Sequence, residues 1–200
     1  LDNPLIFPDE GEALSGGNFH GEPLALAMDF FGIAMAEFGS ISERRQARMV
    51  DASLSGLPPF LIEGSGLNSG FMIPQYVSAS LVSENKVLAH PSCVDSIPTS
   101  ANQEDHVSMG GYSARKAATI LDNVRKVVAV ELLTGAQALE FSLKDLKPGK
   151  GTGAAHACIR SAIPFLGKDE FLYPLIDRAI ELTRGGEVLD AAEAAVGALD

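Results

Sequence analysis

The chain has 200 residues, 46% of them hydrophobic and 20% charged, enough for one domain with a substantial core and incompatible with disorder. A formal net charge of −11, with no Lys/Arg cluster, excludes nonspecific nucleic-acid binding, because phosphates need a basic surface. Two cysteines, Cys93 and Cys158, do not make a disulfide framework, so a reducing cytoplasm is the expected setting.

In chain order, Leu1 to Gly17 carries Pro4, Pro8 and three glycines and reads as irregular. Its lack of a basic segment followed by an apolar one predicts no signal peptide, and Leu1 in place of Met suits a processed or excised chain. A helix is expected from Glu22-Pro23, since proline is favoured at the first helical position and a carboxylate suits the positive end of the dipole. Leu24, Ala27, Met28, Phe31, Ala34, Met35 and Phe38 form one face, and Leu26, Phe30 and Ile33 make a second face apolar. Such all-round apolarity predicts burial on several sides, in a bundle or a subunit interface. The stretch from Leu24 to Phe38 is shorter than the ~20 apolar residues of a membrane span and contains Asp29, so it is expected to be a core helix.

Leu57-Pro58-Pro59-Phe60 breaks the chain and 64–70 reads as a loop. A second helix is expected from about Phe71 to Ala89, with Pro74 in its first turn and His90-Pro91 ending it. A polar run and Gly110-Gly111 precede a long helix from about Ser113 to Phe141, whose Ala117, Ile120, Leu121, Val124, Val127, Val128 and Leu132 keep helical spacing. At 1.5 Å per residue it would span about 40 Å, a length suited to a bundle. The organisation expected is a helical bundle segment over 1–146, a linker over 147–153 (Lys147-Pro148-Gly149-Lys150-Gly151-Thr152-Gly153), and short helices over 154–200, near Ala154–Ala162, Phe171–Arg184 and Glu187–Leu199. No alternating strand pattern competes, so the fold class is all-α, a long-helix bundle.

Most familiar chemistries lack their residues. Lys150 is followed by Gly151 where a phosphate loop needs Ser or Thr, so that stretch reads as a hinge. Four scattered histidines form no His-x-x-x-His pair and the cysteines no Cys-x-x-Cys, so no metal site is expected without distant partners. Cys93 could act as a nucleophile beside His90 or His106, against a buried thiol as the plainer reading. The most informative stretch is Pro98 to Met109. Asn102, Gln103, Glu104, Asp105 and His106 offer amide, carboxylate and imidazole groups between apolar flanks, which places much of the run near the core. Buried polar groups are costly unless paired, so such a run is a site candidate; the competing reading is a solvated loop between helices. Asn18-Phe19-His20-Gly21 likewise stands before a helix start, where unpaired amides favour an anion such as a substrate carboxylate. The alternative is that Asn18 and His20 cap that helix while Phe19 packs on it.

Three motifs in order, Ser15 to Gly21, Gly66-Leu67-Asn68-Ser69-Gly70-Phe71-Met72 and Pro98 to Met109, resemble the aromatic amino acid lyases, in particular the histidine ammonia-lyase branch. The resemblance runs nearly end to end, is weakest after Leu143, and is to the C-terminal part of longer chains. It implies the C-terminal part of that all-α fold, homotetrameric assembly, and conversion of L-histidine to urocanate and ammonia by the complete protein. It also implies a methylidene-imidazolone electrophile, made by cyclising an internal Ala-Ser-Gly. No such tripeptide occurs here; Ala52-Ser53-Leu54 comes nearest. The resemblance assigns Phe19 a place beside electrophile and substrate, and gives Glu104 the active-site carboxylate near the substrate imidazole. Gln103, with Asn102, would orient Glu104 or bind substrate. Phenylalanine-directed relatives have glutamine at the position of Glu104. That exchange is physically sensible, because a carboxylate accepts a hydrogen bond from an imidazole N–H and a phenyl ring offers none. The chain by itself is expected to be inactive. The rival expectation is a non-catalytic helical assembly module or a degenerate homologue.

Overall fold

A computed structural model describes residues 3–17, 19–142 and 146–199. The chain divides into two compact units, one of residues 1–35 with 86–121, the other of 36–85 with 122–200. The described residues are predominantly helical: α1 (Glu22–Val50), α2 (Ala52–Ser55), α3 (Met72–Leu88), α4 (Gly110–Ser142), α5 (Lys150–Ala162), α6 (Tyr173–Gly185) and α7 (Glu187–Val196). Their ends follow the punctuation in the sequence. Asp51 caps α2 by accepting from Ser53 N–H at 2.8 Å, and Gly56 closes it in the left-handed region at φ 71°. Pro74 sits in the first turn of α3, and α6 ends on Gly186 at φ 83°.

Two expectations need correction here. The N-terminal stretch is not wholly irregular: β1 (Leu5–Phe7) and β2 (Glu12–Leu14) pair antiparallel around a turn containing Gly11 at φ 67°. Three-residue strands are too short to show an alternating pattern, and all six residues are exposed. The stretch 147–153 is not all linker either, since α5 begins at Lys150. Glycines 151 and 153 are tolerated inside the helix, where Pro148 and Val196 lie against them.

α1 reverses the expected packing. Apart from Val50 at its end, its buried positions are small or polar, namely Ala25, Asp29, Gly32, Gly39, Ser42, Glu43 and Gln46, whereas Leu24, Leu26, Phe30, Phe31, Ile33 and Phe38 are exposed. Close approach to α4 explains the choice. In the first unit a Cβ on Gly32 would lie 3.1 Å from Ile120 Cδ1, and in the second a Cβ on Gly39 would lie 3.2 Å from Val124 Cγ2. Large side chains cannot enter these seams, so they are left outward. The apolar helix is therefore not a core helix within this chain. At 29 residues it is also long and apolar enough to cross a membrane by length and composition, contrary to the expectation from its shorter apolar stretch.

In the second unit the core gathers Leu61, Phe71, Leu133, Ile159, Ile163 and Leu182. Gln137 is buried among them and satisfies three backbone groups, donating to the carbonyls of Leu61 and Leu166 and accepting from Leu166 N–H. Gln137 is tolerated in that core because its amide is paired.

Candidate active site

The first unit holds a buried charge cluster. Asp29 on α1 accepts from the backbone N–H of Ser92 and of Cys93, each at 2.7 Å, and from Ser113 Oγ at 3.1 Å. Lys116 Nζ pairs with it at 3.0 Å and also donates to the His90 carbonyl. Burial alone would push the Asp29 carboxyl upward. The Cys93 amide, Lys116 ammonium, Cys93 thiol and Ser92 amide outweigh it and hold the carboxyl far below the usual carboxylate range. The cluster pins the 90–93 loop to α1 and α4. Burial first, then the hydrogen bond and charge of Asp29, push the Cys93 thiol up, which disfavours the thiolate that nucleophilic attack needs. Both cysteines are free.

From that loop the chain runs to the polar motif. Ser96 Oγ accepts from Val107 N–H at 2.8 Å, and Thr99 N–H donates to the Glu104 carbonyl at 3.0 Å. Between these anchors Ser100, Ala101 and Asn102 are all left-handed, at φ 51°, 54° and 71°. Asparagine tolerates that region, but serine and alanine there cost of order 1–3 kcal/mol each, strain that persists mainly where the surroundings over-determine a functional segment. The turn carries Asn102 to His106 outward: the run is exposed rather than close to the core, and only 107–110 become half-buried as α4 begins. The apolar flanks bury themselves; the left-handed turn lifts the polar run clear of them.

The two glycine-bearing helix starts meet here. Ser108 Oγ accepts from Gly110 N–H at 3.0 Å, capping α4. A Cβ on Gly110 would lie 3.1 Å from the Gly21 carbonyl, and one on Gly21 would lie 3.0 Å from Ser108 Oγ. His20 spans the junction. Its Nε2–H donates to the His106 carbonyl at 2.9 Å, its Nδ1 accepts from Glu22 N–H at 3.3 Å, and its ring stacks on that of His106 at 5.4 Å between centroids. The capping role expected of His20 is thus present. Asn18, expected beside it, lies outside the described residues.

The result is a cleft of about 900 Å³. Phe19, Gln103 and Glu104, far apart in sequence, all line it, together with Leu24 and Met28 from α1 and Ala114 from α4. The lining combines apolar side chains with carboxylate and amide groups, a mixture suited to a small amphipathic molecule. Among the described residues the side chain of Glu104 is hydrogen-bonded by Thr99 Oγ1 alone, at 3.4 Å. Sequence reasoning missed the apolar lining, because Leu24 and Met28 look like core residues, and gave Ser108 no role of its own within the 98–109 stretch. His20 was legible as part of its motif. No three His, Cys, Asp or Glu side chains converge as a metal site among the described residues.

Ala52-Ser53-Leu54, the nearest approach to a cyclising tripeptide, does not fit that chemistry. It forms the short helix α2, with Ser53 Oγ and N–H both held by Asp51 at 2.7 and 2.8 Å, and leucine replaces the glycine whose nitrogen would close the ring. No electrophilic step is therefore assigned to residues of this chain.

Residues 1–161 match the family of aromatic amino acid lyases. The chain belongs to that family. Among curated relatives, a histidine ammonia-lyase of Caldanaerobacter subterraneus subsp. tengcongensis is 59% identical over 94% of this chain and 37% of its own length. One from Gloeobacter violaceus is 56% identical over all of this chain and 39% of its own. Among solved structures, histidine ammonia-lyase from Trypanosoma cruzi superposes with a TM-score of 0.91 at 46% identity, covering 98% of this chain and 38% of that one. The chain thus spans less than two-fifths of the length of these lyases.

Proposed function

We propose that this chain is the C-terminal, substrate-recognising part of a histidine ammonia-lyase, which converts L-histidine to urocanate and ammonia. The observation that carries the reading is the shared cleft of Phe19, Gln103 and Glu104. In the elimination the Cα–N and Cβ–H bonds break and a Cα=Cβ double bond forms. This chain's part is to hold the side chain of the substrate. Glu104 accepts a hydrogen bond from the imidazole N–H, Gln103 supports it, and Phe19 with Leu24 and Met28 excludes water from the apolar edge. The methylidene-imidazolone and the base come from residues outside this chain. The reading includes a homotetramer and a cytoplasmic setting, the latter in keeping with two free cysteines.

The test uses the full-length protein. Loss of a hydrogen bond to a charged group is worth about 1.5–3 kcal/mol, or roughly ten- to two-hundredfold in kcat/KM. Glu104→Gln and Glu104→Ala are expected to lower kcat/KM for histidine by such a factor, with Ala at least as damaging. Turnover of phenylalanine, which has no ring N–H, falls less or rises in Glu104→Gln. Equal proportional losses for both amino acids remove Glu104 from substrate recognition. A second reading, a non-catalytic assembly module, is favoured by the exposed apolar face of α1, where Phe30 is 75% and Phe38 65% accessible. Absence of histidine turnover in the full-length protein would select it.

A further inference from the structure

His20 lines the cleft, yet both of its ring nitrogens are already committed to the backbone. Nδ1 takes the Glu22 N–H at 3.3 Å and the Nε2–H gives to the His106 carbonyl at 2.9 Å. The neutral Nε2–H tautomer satisfies both bonds at once, so no polar atom of the ring is left for a ligand. The bond to His106 joins segments 86 positions apart, and it lands two residues beyond Glu104, while Phe19 immediately precedes the histidine. Ring stacking on His106, 9° from parallel, fixes the same relation a second way. The other ties on this exposed run, from Ser96 and from Thr99, come from its own side of the cleft. Within this unit His20 is the side chain from α1's approach that registers the run against Phe19.

We infer that His20 is a positioning residue that sets substrate selectivity by holding Glu104 at the distance from Phe19 at which it meets an imidazole N–H. The inference rests on the proposed lyase reading. A carboxylate displaced by about 1 Å loses a directional hydrogen bond, whereas apolar contact with Phe19 tolerates the shift, so the loss falls on the substrate that has an N–H to offer.

The experiment measures kcat and KM for histidine and for phenylalanine in the full-length protein, with a melting curve for every variant. His20→Asn keeps an acceptor for Glu22 N–H but is too short to reach the His106 carbonyl; His20→Gln places an amide N–H near the original Nε2. His20→Asn is expected to lower kcat/KM for histidine about tenfold, chiefly through KM, with a smaller change for phenylalanine, and His20→Gln to restore most of the loss. In a Glu104→Gln background His20→Asn should cost histidine little more, because both act through one contact. Equal losses for both substrates, or additive losses in the double variant, overturn the inference. If His20→Asn does not fold, His20→Ala decides, with the same selective fall for histidine expected and an equal fall for both substrates overturning the inference. A selective loss in Glu104→Gln beside an unselective one in His20→Asn overturns the inference alone. An unselective loss in Glu104→Gln removes Glu104 from substrate recognition, and the inference with it, whereas absence of histidine turnover in the parent overturns the lyase reading itself.

Discussion

Replacing Asp29 by asparagine would break a buried ion pair while changing the side chain's shape very little. Asp29 is 5% and Lys116 7% exposed, with carboxylate and ammonium 3.0 Å apart. The carboxylate also serves two backbone amides at 2.7 Å and Ser113 Oγ at 3.1 Å. Asparagine retains one acceptor oxygen for these donors, turns an N–H₂ toward others, and leaves Lys116 charged and buried without its counter-ion. Removing one partner of such a pair costs about 3–5 kcal/mol, mostly through the charge left behind. For a chain of this size that corresponds to a fall in Tm of roughly 6–20 °C. Lys116→Met added to Asp29→Asn removes the stranded charge, so the double variant should be more stable than the sum of the single losses allows. The same carboxyl has a pH signature. Its folded-state pKa lies below the unfolded value of about 3.9, so its contribution is complete above that value and is lost as pH falls further. Urea denaturation followed by circular dichroism at neutral pH and near pH 3 measures both effects. A loss under about 1 kcal/mol in Asp29→Asn, or a double variant as unstable as simple addition gives, would refute the argument.

Gly70→Ala should destabilise the second unit by about 2 kcal/mol or more, since φ is 50° and a Cβ would sit 2.5 Å from the Phe60 carbonyl; a melting curve tests this. The 200-residue chain by itself should form no urocanate from histidine, as followed by absorbance, because it contains no Ala-Ser-Gly. Turnover abolished by Glu104→Ala would show otherwise. The outward apolar face of α1 should drive self-association, and Phe30→Ser with Phe38→Ser should shift the sedimentation profile toward monomer; an unchanged profile would place the contact elsewhere.

How α1 packs shows where sequence reasoning stops. Its existence and its start at Glu22 were legible from Pro23 and the apolar content, but not which side would face inward. Helical periodicity points the large side chains to the core, and here Gly32 and Gly39 let α4 approach so closely that a large side chain at either position would clash. The left-handed turn over 100–102 carried no glycine to announce it, so the polar run was expected near the core and is found exposed.

Local chemistry, written residue by residue, determined the long helices. The expected spans of 71–89 and 113–141 differ from α3 and α4 by no more than three residues at any end, because proline, glycine and periodic apolar positions act within a turn or two of themselves. The motifs containing Phe19, Gln103 and Glu104 were legible as polar stretches before helix starts, and the roles of those residues came from the family resemblance. Their meeting in one cleft was decided by tertiary structure, through the His20 bond to the His106 carbonyl and the mutual approach of Gly21, Ser108 and Gly110. So were the donors converging on Asp29 from the 92–93 loop and from Ser113 and Lys116 of α4. Contacts between distant segments depend on which backbone groups remain unpaired after the helices form, and no local pattern encodes that.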